Sequence, residues 1–406
     1  MRILAVADIF PWPVDSGGLI RLSTQVDALS RLGELDLFAF CDVSGPEPVV
    51  PDGVRLARLG TTPYPAEDRS RRWQAEWLLR RGVPLPIAMR RGDPGPRRDF
   101  QAFISGRYDL VWFRTAATWM WLGRPRLGPT IVDLQDLDGE VQRQEADAIR
   151  SRPARGPVGR VKRSVAEVKT RVNARDWDRL DASIARQVAT VVLCSSDDVG
   201  RLGAANAAVV PNTYVEPEHP VGKAAADDPP TILFPASFDY APNVDAAQWL
   251  AAEVAPLLRQ QVPGTTVRMV GRPSPAVTAL INEPDITVTG RVASMEEELA
   301  KADVVVVPVR SGSGTRLKIL EAFAHRIPVV STTLGAEGLD VEDGVHLLVA
   351  DSAEAIAEAC GRLHDDPELR SRLVYAAQEL FRRRYEASAA RTAIRLLVDD
   401  VARRPR

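Results

Sequence analysis

The stretch from Val304 to Thr332 reads VVVVPVRSGSGTRLKILEAFAHRIPVVST. Its first six residues alternate too little for a half-exposed strand and are too few to span a membrane, which predicts a buried, parallel strand. Ser311 to Thr315 then reads as a turn, Lys318 to Phe323 has helical spacing, and Pro328 closes that helix before another buried strand begins. Strand, glycine-bearing loop and helix is the arrangement that binds phosphate. Two cations, Arg316 and Lys318, stand in the first turn of the helix, where the partial positive charge of its N-terminus makes each unfavourable by about 0.3–1 kcal/mol. Either both side chains turn into solvent or an anion held at the loop offsets them, and the neighbouring Gly312 and Gly314 favour the anion.

Working outward, the same alternation runs through most of the chain. RILAVAD (2–8), ELDLFAF, DLVWFR, TIVDLQD and TVVLCSS predict short buried strands, with a loop from Pro11 to Gly18 and a helix from Leu19 to Leu32 after the first of them. Residues 208–230 are rich in Pro, small and acidic residues and lack periodicity, which predicts an interdomain linker. A second series follows: TILFPAS, a helix from Asn243 to Leu258, TVRMVG, ITVTGRV, the helix MEEELAKA, the opening stretch and HLLVA, with helices to the C-terminus. The fold class expected is α/β with two doubly wound parallel sheets, whose ligands bind at the carboxyl ends of the strands.

The whole chain sets limits on function. Its 406 residues are long for one core, which suggests more than one domain. The 52 Lys and Arg against 54 Asp and Glu argue against a dedicated nucleic-acid binder. Cys41, Cys194 and Cys360 are far apart and form no CxxC pair, so they read as reduced core residues of a cytoplasmic protein. The N-terminus reads as a first strand rather than a signal peptide, and no run reaches the roughly 20 apolar residues of a spanning helix. The four histidines, His219, His325, His346 and His364, show no metal spacing, and His325 reads as structural. Two basic stretches, 69–98 with Trp73 and Trp77 and 150–175 with valines at helical spacing, are each either a surface for anionic lipid or a phosphorylated acceptor, or a solvated helix face.

Four segments together resemble the retaining GT-B glycosyltransferases of family 4, in the branch whose donor loop reads GxGTRxKxLEA. They are GSGTRLKILEAFAHRIPVVSTTLGAEGL (312–339), VTGRVASMEEELAKADVVVVPV (288–309), VVPNTYV (209–215) and PASFDYAPNVDAAQWL (235–250). DIFPWPVDSGGLIRL (8–22) matches more weakly. The resemblance implies two Rossmann-like domains facing across a cleft: an acceptor-side domain over 1–213, a nucleotide-sugar domain over 214–384, and a last helix, about 385–406, crossing back to the first. It implies a hexosyltransferase-type enzyme that moves a sugar from a nucleotide diphosphate sugar to a hydroxyl of a glycan, lipid-linked or small-molecule acceptor, with retention; nothing in the residues calls for a metal or other cofactor. Peripheral membrane contact on the cytoplasmic face would run through 69–98 and 150–175.

Residue by residue, Glu321 matches the glutamate that accepts hydrogen bonds from the donor ribose, and a carboxylate suits two vicinal hydroxyls because it can accept both protons. Arg316 and Lys318 would lie near the diphosphate and stabilise the leaving group, with Ser313, Gly314 and Thr315 in the loop around it. Gly17 and Gly18 match the N-terminal glycine loop, although a plain tight turn would read the same. Gly290, Arg291 and Val292 match the segment that edges the base. Three positions depart from the pattern. Ser313 stands where a sugar-binding glutamate is common. Arg114 stands where a histidine is common and could meet phosphate or carboxylate. The cations usual after the first strand of the second domain are missing from PASFDYAPN, and Arg316 and Lys318 could replace them. Asp133, Asp136 and Asp138 are candidates for acceptor contacts or a helix cap. A nucleotide-sugar epimerase and a non-catalytic nucleotide-sugar-binding scaffold are the rival readings.

Overall fold

The computed structural model describes residues 1–12, 17–40, 50, 53–59, 82–84, 95–151, 156–226, 229–282, 285–312 and 317–404. The chain divides into two compact units, Met1–Pro211 with Ala390–Arg406, and Asn212–Ala389.

The first unit is built from β1 (Arg2–Ala7), α1 (Gly17–Ser30), β2 (Glu34–Phe40), β3 (Val54–Leu59), α2 (Gly95–Phe103), β4 (Leu110–Phe113), α3 (Ala116–Trp121), β5 (Thr130–Gln135), α4 (Asp138–Ser151), α5 (Gly156–Ala185), β6 (Thr190–Leu193), α6 (Ser196–Leu202) and β7 (Ala207–Val209). Its seven strands are all parallel in the order β3-β2-β1-β4-β5-β6-β7. Ile3, Ala5 and Ala7 on one face of β1 and Leu4 and Val6 on the other enter separate hydrophobic clusters, which is why the strands read as continuous apolar runs. Gly17 and Gly18, expected in the preceding loop, form the first turn of α1. Ser195 caps α6, its hydroxyl accepting from the Asp198 amide, and Gly203 ends that helix in the left-handed conformation.

The second unit contains β8 (Thr231–Pro235), α7 (Ala241–Trp249), a π turn over Leu250–Val254, α8 (Ala255–Gln261), β9 (Thr266–Val270), α9 (Pro275–Thr278), β10 (Ile286–Thr289), α10 (Met295–Leu299), β11 (Val304–Val307), α11 (Leu317–Ala324), β12 (Val329–Ser331), α12 (Thr333–Ala336), β13 (Leu348–Val349), α13 (Ala353–Asp365) and α14 (Pro367–Arg384). Six parallel strands lie in the order β10-β9-β8-β11-β12-β13. The single helix expected from Asn243 to Leu258 is interrupted by the π turn. Pro256, at the start of α8, has no N–H to continue the α-helical ladder, and the wider turn accommodates the gap.

The segment expected to be a linker is largely part of the second unit. Tyr214 forms a bridge with Glu386 and packs against the core, and Lys223 Nζ lies 3.2 Å from the buried carboxylate of Asp303. The last helix, α15 (Ala387–Arg403), returns to the first unit. Ala390, Ile394, Leu397, Val398 and Val401 join the cluster that contains Ile3 and Leu29, and Arg404 donates to the Ala189 carbonyl at 2.9 Å. Cys194 and Cys360 are buried free thiols, and Cys41 lies outside the described residues.

Candidate functional site

Strand order defines one topological switch point in each unit. In the second, β8 to β10 extend the sheet in one direction and β11 to β13 in the other, so the switch lies between β8 and β11, paired through Val304 with Ile232. In doubly wound sheets the helices on either side of such a switch leave in opposite senses, and ligands bind outside the carboxyl ends of the strands there. The loops that follow the two strands meet at Gly312. Its φ is +91°, which favours glycine, and a Cβ there would fall 2.7 Å from Tyr240 Oη and 3.0 Å from Pro242 Cγ, so a side chain would also press on both. Ser313, Gly314, Thr315 and Arg316 lie outside the described residues.

The chain re-enters at α11, whose buried face carries Ile319, Leu320, Ala322 and Phe323 and turns Lys318 and Glu321 toward its less buried side. Lys318 reaches across to the β8 side. Its ammonium donates to Asn243 Oδ1 at 3.3 Å and lies 4.6 Å from the centre of the Phe234 ring. A cation from α11 thus occupies the neighbourhood where the segment after β8 has none of its own. Glu321 accepts a hydrogen bond from the Tyr214 hydroxyl at 2.9 Å. Burial raises the Glu321 pKa, while the Tyr214 hydrogen bond and the Lys318 charge act against the rise. Burial, and then the Glu321 charge, also raise the Tyr214 pKa, which keeps the phenol protonated as the donor.

Gly290, Arg291 and Val292 follow β10, two strands from the switch. Gly290 has room, the nearest atom to an added Cβ being Pro273 Cδ at 4.0 Å; Arg291 is exposed, and Val292 packs against the core. Two further cations sit past the carboxyl ends of strands in this sheet. Arg272, after β9, pairs with Asp239 at 2.8 Å, and Arg310, after β11, pairs with Asp245 at 3.0 Å and lies over the Trp249 ring at 4.5 Å. A cation two or three residues beyond each strand was the signal in the sequence for both. Tyr214 carried no such signal.

In the first unit the switch lies between β1 and β4. Arg114, directly after β4, pairs with the buried Asp8 directly after β1, so the carboxylate it meets belongs to the protein. A Cβ on Gly18 would lie 3.1 Å from Arg114 Nη2, which brings the start of α1, Arg114 and Asp8 together. Of the three aspartates weighed for acceptor contacts, Asp133 is fully buried and held by Arg21 Nε at 2.8 Å, Arg21 Nη2 at 2.9 Å and Gln25 Nε2 at 2.5 Å. Asp136 is half-buried and Asp138 is exposed at the start of α4. His325 is buried, and burial lowers its pKa, in line with a neutral structural histidine. Among the described residues no group of three or more His, Cys, Asp or Glu could hold a metal ion.

The fold is that of the GT-B glycosyltransferases. Sucrose-phosphate synthase from Thermosynechococcus elongatus is similar over 99% of this chain and 99% of its own, with a TM-score of 0.69 at 16% identity. Anabaena Alr3699/HepE, solved in complex with UDP and glucose, aligns over 98% of this chain and 99% of its own with a TM-score of 0.59 at 15% identity, and an apo structure of OtsA over 100% of each chain with a TM-score of 0.62 at 11% identity. Residues 229–366, which lie wholly in the second unit and contain Lys318 and Glu321, match the family described as Glycosyl transferases group 1. No curated protein sequence matches the chain.

Proposed function

We propose that the protein is a glycosyltransferase that moves a sugar from a nucleotide diphosphate sugar to an acceptor hydroxyl with retention of anomeric configuration, as a hexosyltransferase of the family 4 type. The observation that carries this reading is the pair Lys318 and Glu321 on α11, just beyond the switch-point strand β11, inside the segment that matches the group 1 family. Glu321 accepts hydrogen bonds from the donor ribose. Lys318 and Arg316 stabilise the diphosphate as it departs, and Ser313, Gly314 and Thr315 surround it. Gly290, Arg291 and Val292 edge the base, and Gly17, Gly18 and Arg114 belong to the donor-phosphate side. The sugar leaves through an oxocarbenium-like state, the acceptor arrives on the same face, and the departing phosphate takes its proton, so that catalysis is mainly positioning and charge stabilisation. Charge comes from the protein's own cations, and no metal or other cofactor is assigned a role.

Uridine is the first base to test, because Anabaena HepE was solved with UDP-glucose. The acceptor belongs to glycan, glycolipid or natural-product biosynthesis, with the protein on the cytoplasmic side and in peripheral contact with the membrane through 69–98 and 150–175. Most of 69–98 lies outside the described residues, as do residues 152–155. No helix among the described residues is long and apolar enough to cross a membrane.

A thermal-shift panel of UDP-, GDP-, ADP- and TDP-sugars on wild type and Glu321→Ala tests the reading. A ligand that binds only the folded state adds about 2.7 kcal/mol of stability at a hundredfold excess over Kd. One nucleotide that stabilises wild type and not the variant is the expected result. Silence from all four overturns the donor site, binding without transfer to any acceptor favours a scaffold, and an epimerised nucleotide-sugar without acceptor favours an epimerase.

A further inference from the structure

The N-terminal half of α5 carries Val158, Val161, Val165 and Val168 at exposures of 68%, 63%, 47% and 58%. At 100° per residue they form one stripe about 80° wide. It points away from the face that packs on α4, where Asn173 Nδ2 donates to Gln142 Oε1 at 2.9 Å and Ala174 and Trp177 are buried. Between 156 and 175 the cations are Arg160, Lys162, Arg163, Lys169, Arg171 and Arg175, and Glu167 is the single acid, in a chain whose net charge is -2. Lys162 and Lys169 border the stripe on one side and Arg175 on the other, while Glu167 falls on the opposite face, where it and Asp147 hold the Arg171 guanidinium at 3.2 and 2.6 Å.

We propose that this half of α5 docks on an anionic lipid surface, with the valines entering the interface and the flanking cations meeting lipid phosphates. The inference rests on the peripheral-contact part of the proposed function and gives it a surface and a lipid charge. Two observations select the occupant. A second copy would set Lys162 and Lys169 against flanking cations of its partner in either helix orientation, and like charges beside an apolar seam oppose pairing. The stripe also spans fewer than the three or four heptads that a coiled-coil partner requires, whereas a lipid surface imposes no register.

The test is co-sedimentation of the full chain with phosphatidylcholine vesicles, with and without phosphatidylglycerol, at low and high salt. Wild type is expected to bind only the anionic vesicles and to be released by salt. Val161→Asp with Val165→Asp, and separately Lys162→Glu with Lys169→Glu, should each lower partitioning about tenfold or more. All four sites are on the surface of a helix, and far-ultraviolet circular dichroism checks that each variant is folded. Equal binding to neutral vesicles, no binding to anionic ones, wild-type binding by the valine variant, or a valine-dependent dimer in sedimentation would each overturn the proposal. No nucleotide enters the assay, so its failure leaves the donor site standing, and failure of the nucleotide panel leaves the lipid result standing.

Discussion

The hydroxyl of Tyr214 donates to the carboxylate of Glu321 at 2.9 Å, which ties the first residues of the second unit to the helix that follows the switch-point strand. The bond fixes one carboxylate oxygen of Glu321. On the proposed role of Glu321 at the donor ribose, Tyr214 is the residue that positions it. Replacing Tyr214 by Phe keeps the ring that packs on the core and removes the donor. A lost hydrogen bond of this kind is worth about 0.5–1.5 kcal/mol, so nucleotide affinity should fall roughly two- to tenfold by calorimetry. Unchanged affinity and an unchanged pH profile would remove Tyr214 from the site.

Burial raises the Glu321 pKa, and the ionised carboxylate is the stronger acceptor for two ribose hydroxyls. Nucleotide affinity should therefore weaken as pH falls through a value above the ordinary carboxylate range, and Tyr214→Phe should move that midpoint higher because it removes a group that favours the anion. Glu321→Gln should bind more weakly and lose the dependence. The same shift has a stability consequence of opposite sense. An acid whose pKa is raised by folding costs stability above that pKa, so this contribution becomes more favourable as the solution is acidified through the interval down to the unfolded value. A Glu321→Gln variant whose affinity still tracked pH would assign the titration to another group.

Lys318 bridges Asn243 and the Phe234 ring at the β8 side of the switch point. Its replacement by Ala should weaken nucleotide diphosphate binding by about 10- to 100-fold, the range for a lost charge-assisted hydrogen bond of about 1.5–3 kcal/mol. A nucleoside without phosphates should bind both proteins alike. Calorimetry that finds the diphosphate indifferent to the substitution would return Lys318 to a packing role.

Asp133 and Arg21 form a buried pair that also anchors α1 to the Val210 carbonyl at 2.7 Å. Removing one partner strands the other charge, so Asp133→Ala should cost about 3–5 kcal/mol in urea unfolding of the first unit. Changing both, Arg21→Met with Asp133→Leu, should restore much of that stability. A single variant as stable as wild type would show that the pair is dispensable to the fold.

The two doubly wound sheets were legible because β1, β4, β5, β6 and β11 are buried on both faces and so read as unbroken apolar runs. The place of Lys318 and Glu321 one turn apart on a helix was legible from the spacing of KILEAF. The π turn before Pro256 was less so, because a proline interrupts the ladder without saying whether the helix ends or widens. Residues 208–230 read as a linker because Pro and small residues mask their side-chain contacts, of which those of Tyr214 and Lys223 are the clearest. Asp133 read as a candidate for acceptor contact, and nothing local to TIVDLQD tells that Arg21 and Gln25 close over it from α1.

By itself, then, the sequence determined the α/β alternation, most of the strands though not β3 or β7, and the placing of Lys318 and Glu321 on one helix after β11, since these depend on the period of apolar residues and on glycines and prolines near in the chain. Tertiary structure alone decided which residues those positions answer to: Tyr214 for Glu321, Asn243 and Phe234 for Lys318, Asp8 for Arg114, Tyr240 for Gly312. Each of these partners lies tens of residues or more away in the chain, and only the strand order that sets β8 beside β11 and β1 beside β4 brings them within reach of a hydrogen bond or a van der Waals contact.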